Sequence, residues 1–434
     1  MHYGHFMAGA PSRLLPFSVP FRFFGLAALF HAAAWVLLLI HAPDAITFTG
    51  GASPVLSALH MITLGVLAMT AIGAAFQILP VATGKPLASQ RLCTTTFWSF
   101  LSGVGCLVYG MGTQTAWAMT AGATLTVIGI GLFIWLIAPN VRAVKSMPVV
   151  KAHGTVALVC LGLLALLGAM LSADFQWSFL PDHPMTAHVH LVLATYGFMG
   201  MLAQGFSFIL IPLFTLSPPP SQKPGLVAAG LWALSLGLAT VSLIMGWTVA
   251  AACSGLLGLV AAGIHLWCMT VIMRRRMRRH LGDSFLLIGM GWIMLPTSLG
   301  LGIADILMPA PGPVPVLFVF TLVFGWLLTF LLGVLQRIMP FLASMHSIGK
   351  GRKPLLVSAL TAEPLLRAHL ICHGGALALV SIGIIAGQSV IFRIGAAAGL
   401  AGAVCFALFA VQVWRRLDAH VRKFPSPAIT PSEA

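Results

Sequence analysis

Acidic residues are almost missing from this chain: 8 Asp and Glu stand among 434 residues, against 23 Lys and Arg. Charges of either sign make up 7% of the sequence, far below the roughly one quarter of a soluble domain. None of the acidic residues falls near the middle of an apolar run; Asp305 stands at the outer end of one and Glu363 precedes another. Proton pumps and proton-coupled carriers usually hold carboxylates deep in the bilayer, so this lack argues against a pump and weakens a carrier reading. There is no nucleotide-binding glycine loop, no catalytic serine elbow and no soluble segment of useful size. The seven cysteines form no close CxxC pair and sit inside or at the edge of apolar runs. They read as small buried hydrophobes rather than a disulfide framework.

What is present is apolar: 59% of the residues are hydrophobic. Stretches of about 20 such residues can cross a bilayer. Twelve are expected, at 21–41, 55–80, 93–112, 116–138, 152–172, 186–214, 225–246, 249–273, 284–307, 314–342, 368–387 and 392–414. The first follows Pro11 and Pro16 with no small-residue cleavage site after it, so it reads as a retained helix. Basic residues occupy alternate connections, from the N-terminus through Lys85, Arg142 to Lys151 and Arg274 to Arg279, to Arg415 onward. Basic loops stay cytoplasmic, which places both termini on the inner side of a bacterial cytoplasmic membrane. The net charge of +15 then marks a topology and lipid anchor, with the bilayer as partner and nucleic acid excluded.

One block recurs three times. His60-Met-Ile-Thr-Leu-Gly65 leads through Gly73 to Gln77 and Pro80; His188-Val-His190 leads through Gly197 and Gly205 to Pro212; Gly325 leads through Gly333 to Gln336 and Pro340. The closing prolines recur at a near-constant interval, so the repeating unit is close to a third of the chain. The expected fold is therefore an all-α polytopic membrane protein, a single membrane domain of about twelve spans. Its spans form three four-helix arcs with pseudo-threefold repeats near 21–138, 152–273 and 284–414.

With carboxylates absent from the interior, histidine must carry any chemistry. His60 and His190 lie at a similar depth near the outer face, with His188 beside them and His31 near the middle of span 1. Neutral imidazole ligates iron and copper well, so His60, His190, His188 and His31 are candidate cofactor ligands. The plainer reading is that each ring satisfies a backbone carbonyl. His188 and His190, about 200° apart on a helix, cannot readily serve one metal. A second group collects toward the cytoplasm: His369 and His373 share one helical face and, with His265 or His153, are candidate metal ligands. Gln77, Gln204 and Gln336 are buried amides that need partners.

Pro20-Phe-Arg-Phe-Phe-Gly25 resembles the opening helix of NnrS-type membrane proteins. His60-Met-Ile-Thr-Leu-Gly65 with Thr83-Gly-Lys-Pro-Leu87 is similar to a helix of the same family. Three arcs with histidines on spans 2 and 6 look more distantly like the catalytic subunit of haem-copper oxidases. The closer, NnrS-type resemblance implies haem b and copper as cofactors, an electron-donor protein as partner, and nitric oxide or another diatomic as ligand. The chain departs from both families: span 10 holds no histidine before His346, span 7 holds none, and the NnrS-type His-Ala-His-Glu stretch is missing. Two readings follow. One is a haem-binding redox protein with copper as an optional second metal; the other is a transporter of a metal, haem or small solute.

Overall fold

A computed structural model describes residues 15–308, 312–348 and 354–423. His2, His5, Lys350 and the residues beyond Lys423 lie outside the described residues. Among the described residues, twelve helices are long and apolar enough to cross a membrane. They are α1 Ser18–Ile40, α2 Pro54–Thr83, α3 Gln90–Thr113, α4 Ala116–Ala143, α5 Pro148–Trp177 and α6 His183–Thr215. The second half holds α7 Gln222–Met245, α8 Thr248–Arg274, α9 Ser284–Leu307, α10 Val314–Ser347, α11 Glu363–Ala386 and α12 Ser389–Lys423. No strand occurs among the described residues. The protein is a multi-pass membrane protein. Helices are the expected solution, because lipid offers backbone N–H and C=O groups no partner outside their own segment.

The expected spans match these helices to within a few residues at most ends. The last runs on to Lys423, where its final turns are polar. The short break near residue 246 is real: Gly246 adopts a left-handed φ of 68° and closes α7, and Trp247 alone separates it from α8. Ser53 and Ser89 cap α2 and α3 by accepting the Leu56 and Leu92 amides.

Three helices form the centre. In their most apolar windows α2, α6 and α10 are 67%, 83% and 72% buried, whereas the other nine reach at most 44%. The nine therefore form an outer layer facing lipid, and the three are the protein-enclosed core. Each central helix contains an eight-residue π-helical segment, at Met61–Ala68, Leu193–Gly200 and Thr321–Leu328. These segments recur at the same intervals as Pro80, Pro212 and Pro340. π-helical turns are rare and concentrate at functional sites.

Glycine at the fifth place of each π segment receives a side chain from the preceding outer helix. A Cβ on Gly65 would fall 2.5 Å from Phe30 Cγ of α1, and one on Gly197 would fall 2.8 Å from Cys160 Sγ of α5. One on Gly325 would meet Met294 of α9 at 3.4 Å. Two turns further along each helix, Gly73 receives Phe23, Gly205 receives His153 and Gly333 receives Ile288. The glycine rows are thus seats for α1, α5 and α9, which small residues permit by close approach.

On the axis between α2, α6 and α10 lies a cavity of about 50 Å³. Its walls use matching positions from all three helices, such as Ala71, Ala203 and Leu331, or Ile78, Leu210 and Ile338. The surface is almost wholly apolar, which leaves a water without the two to four polar partners it needs.

Candidate functional site

The histidines sort into three groups, each between different helices. In the first, His60 ends the α-helical start of α2, and His190 lies in the last α-helical turn before the α6 π segment. The Nδ1 of His60 lies 3.0 Å from the Leu56 carbonyl, and the Nδ1 of His190 lies 3.0 Å from the Leu164 carbonyl of α5. A carbonyl can only accept, so both Nδ1 atoms carry the proton. Each Nε2 is left as a lone pair, the tautomer a metal ligand needs. The two rings are half-buried and within electrostatic reach of one another. The His190 ring lies over Gly168 of α5, where a Cβ would meet its Cε1 at 3.0 Å.

The two positions are not equivalent in the register of the π segments. His60 corresponds to Val192, and His190 to Ala58. The pair is therefore a meeting of different positions rather than a repeated residue. His188 does not join it. That ring is exposed, its Nδ1 lies 2.7 Å from the Pro184 carbonyl, and it is within electrostatic reach of Asp305 at the end of α9. His183 is held elsewhere, with Nδ1 2.8 Å from Asp174 Oδ2.

The second group gathers His31 of α1 with His369 and His373 of α11. His31, expected with the outer ligands, instead lies within electrostatic reach of the α11 pair. All three rings are fully buried. Trp35 Nε1 donates to His31 Nε2 at 3.1 Å, which fixes the His31 proton on Nδ1. Thr329 Oγ1 lies 2.7 Å from the Phe324 carbonyl and 2.8 Å from His373 Nε2. Gln336 Nε2 lies 2.9 Å from His369 Nδ1. His369 and His373 stack with centroids 5.5 Å apart, as residues one turn apart on a helix should. One nitrogen of each ring is thus engaged by a neighbour, while His31 Nδ1, His369 Nε2 and Gln336 Oε1 have no partner. Turning the Gln336 amide over would let Oε1 accept from His369 Nδ1–H and free His369 Nε2 as a lone pair. Asn and Gln orientations are assigned from such networks.

The third group is His153 of α5 and His265 of α8, each packed against Phe208 of α6. Ring centroids are 6.1 Å apart for His153 and Phe208, and 5.7 Å for Phe208 and His265. His265, expected to complete a site with His369 and His373, therefore sits in a different helix group with His153. Among the described residues no three His, Cys, Asp or Glu side chains converge as a metal site.

Sequence reasoning passed over Trp35 and Thr329, which orient His31 and His373. The i,i+4 spacing of His31 and Trp35 was a usable signal; the Thr329 contact, 44 residues from His373, left none. A further plug lies between α6, α7, α9 and α10. Tyr196 donates to Ser298 Oγ at 3.0 Å and stacks on Trp326, and Trp232 Nε1 donates to the Tyr196 carbonyl at 3.0 Å.

No family model and no curated protein matches the chain. A solved haem-copper terminal oxidase, determined as a dimer by cryo-electron microscopy, superposes with a TM-score of 0.64. That match covers 96% of this chain and 86% of the oxidase chain, at 13% identity. The fold is the haem-copper oxidase subunit I-like fold. At that identity the likeness speaks to architecture, nine helices around a central three, and leaves the ligand set to this chain's own residues.

Proposed function

We propose that the protein is a haem-binding redox protein of the bacterial cytoplasmic membrane, with both termini cytoplasmic. The observation that carries the reading is the outer pair. His60 and His190 each tie Nδ1–H to a carbonyl, leave Nε2 without a hydrogen bond among the described residues, and lie close enough to influence one another electrostatically. This donor set fits haem iron: two neutral imidazoles with fixed tautomers, held by backbone and therefore preoriented. His60 and His190 would hold the iron, and His369 becomes a further candidate with the Gln336 amide turned over, which makes its unpartnered Nε2 a lone pair. Haem, when bound, supplies an iron that exchanges single electrons or binds a diatomic molecule. Similarity to NnrS-type sequences favours nitric oxide as that molecule, an electron-donor protein as partner, and copper as a second metal.

The competing reading, a carrier for a metal, haem or small solute, draws little support from the axial cavity. Its walls offer almost no polar surface to a charged cargo.

The test is a reduced-minus-oxidised visible spectrum, with iron and copper analysis, on protein purified in detergent. Haem bands should appear in the wild type and be lost in H60L and H190L, with H188L unaffected. A folded wild type without iron after haem reconstitution would end the redox reading.

A further inference from the structure

Two alanines leave the axial cavity open. Ala71 of α2, Ala203 of α6 and Leu331 of α10 each stand ten residues after the first residue of their π segment, and all three line the cavity. Where the third repeat carries leucine, the other two carry alanine, so this layer lacks the side-chain volume beyond Cβ at two of its three places. The layer of Ile78, Leu210 and Ile338 carries a large side chain at every place. Cores are close-packed, and a void left by missing methyl groups forfeits contacts with no return. The residue that would close this one already occurs at the equivalent place, as Leu331.

Size and wall chemistry decide what fits. The space is about 50 Å³, against roughly 10–15 Å³ for one water-sized sphere, which is room for a diatomic molecule. Dry apolar cavities of about 150 Å³ take up benzene or xenon; at about a third of that volume an aromatic ring is too large. Among the lining residues only Thr70 and Ser207 carry a hydroxyl. Ser207 donates to the Ala203 carbonyl at 2.7 Å, which leaves the unpartnered Thr70 hydroxyl as the one free donor. Water needs two to four partners, and an ion needs more. A neutral apolar molecule needs none.

We infer that the axial cavity is a reversible binding pocket for a neutral apolar diatomic molecule, of the size of dioxygen or nitric oxide. Dispersion contacts with walls from all three repeats hold it, and no bond is made or broken. The pocket begins about 15 Å beyond His60 along α2, so it is separate from the outer histidine pair and fills with or without haem.

Xenon is the first probe, and the third repeat supplies the test variants. Crystals of the wild type under xenon pressure should show one anomalous peak between Ala71, Ala203 and Leu331. Ala71→Leu and Ala203→Leu, which copy Leu331, should each lower its occupancy at least tenfold, while Gly230→Ala on the lipid-facing layer keeps it. Dissolved dioxygen, which is paramagnetic, should speed relaxation of the Ile78, Leu210 and Ile338 methyl groups in the wild type and not in A71L/A203L. The same measurements on H60L/H190L should be unchanged, which keeps this outcome apart from that of the haem test. The wild-type peak stands by itself should a leucine variant fail to fold. No xenon in folded wild type, ordered water or a lipid chain in the space, or equal xenon occupancy in both leucine variants would each overturn the assignment.

Discussion

The hydroxyl of Thr329 has one proton and two neighbours, which makes the α10–α11 contact a clean place to test the buried histidine network. The Phe324 carbonyl, 2.7 Å away, can only accept, so the hydroxyl donates there. His373 Nε2, at 2.8 Å, must then donate its own proton to Oγ1. Thr329→Val removes the acceptor and strands a fully buried imidazole N–H, a loss of about 1–3 kcal/mol for an unsatisfied group in a protein interior. Interhelical hydrogen bonds in membranes measure lower, about 0.6 kcal/mol on average and up to about 1.7 kcal/mol. We therefore expect T329V to cost about 1–2 kcal/mol. H373F should cost less than T329V, because the Thr329 hydroxyl keeps its bond to Phe324. T329V/H373F should cost less than the sum, with a coupling of about 1 kcal/mol. Thr329→Ser keeps the oxygen and should lose only the methyl, about 0.8 kcal/mol. The assay is reversible unfolding in mixed micelles titrated with a denaturing detergent. A coupling below about 0.3 kcal/mol, the scatter of independent sites, or T329S as damaging as T329V, would refute the assignment of donor and acceptor.

Gly205→Ala should destabilise by about 1–3 kcal/mol, because its Cβ would overlap His153. Gly230→Ala, with open space around it, should be neutral or gain up to about 1 kcal/mol from helix propensity; thermal melts in detergent compare the two. Trp35→Phe removes the 3.1 Å donor to His31 and should cost about 1–3 kcal/mol, whereas W35F/H31F should fall short of the two single losses added. Asp44→Cys should react with a membrane-impermeant thiol reagent in intact cells, and Arg276→Cys only after permeabilisation; the reverse pattern would invert the proposed topology.

Much of the architecture was legible because lipid imposes it. Twelve apolar stretches, glycines at Gly65, Gly197 and Gly325, and prolines at Pro80, Pro212 and Pro340 are local signals of span and repeat, and each marks a matching place in a central helix. The π segments were not legible. No residue type requires an extra residue per turn, and helix periodicity looks nearly the same through it. The histidine groups were only half legible. Depth along a helix follows from rise per residue, and it put His60 near His190 and set His153, His265, His369 and His373 toward one side. Which of these rings share a neighbour depends on helix rotation and on which helices touch. The sequence carries neither across a separation as long as that between His153 and His265, which stand three helices apart in chain order.

The chain alone determined that this is a twelve-span helical membrane protein whose ionisable interior groups are mainly histidine, because hydrophobicity, charge placement and scarce carboxylates act residue by residue. Only the tertiary structure decided that His31 belongs with His369 and His373, that His265 belongs with His153, and that His188 turns away from His190. Those are consequences of packing nine helices around three, where a ring's partner is set by the azimuth of its helix and the glycine seat it enters.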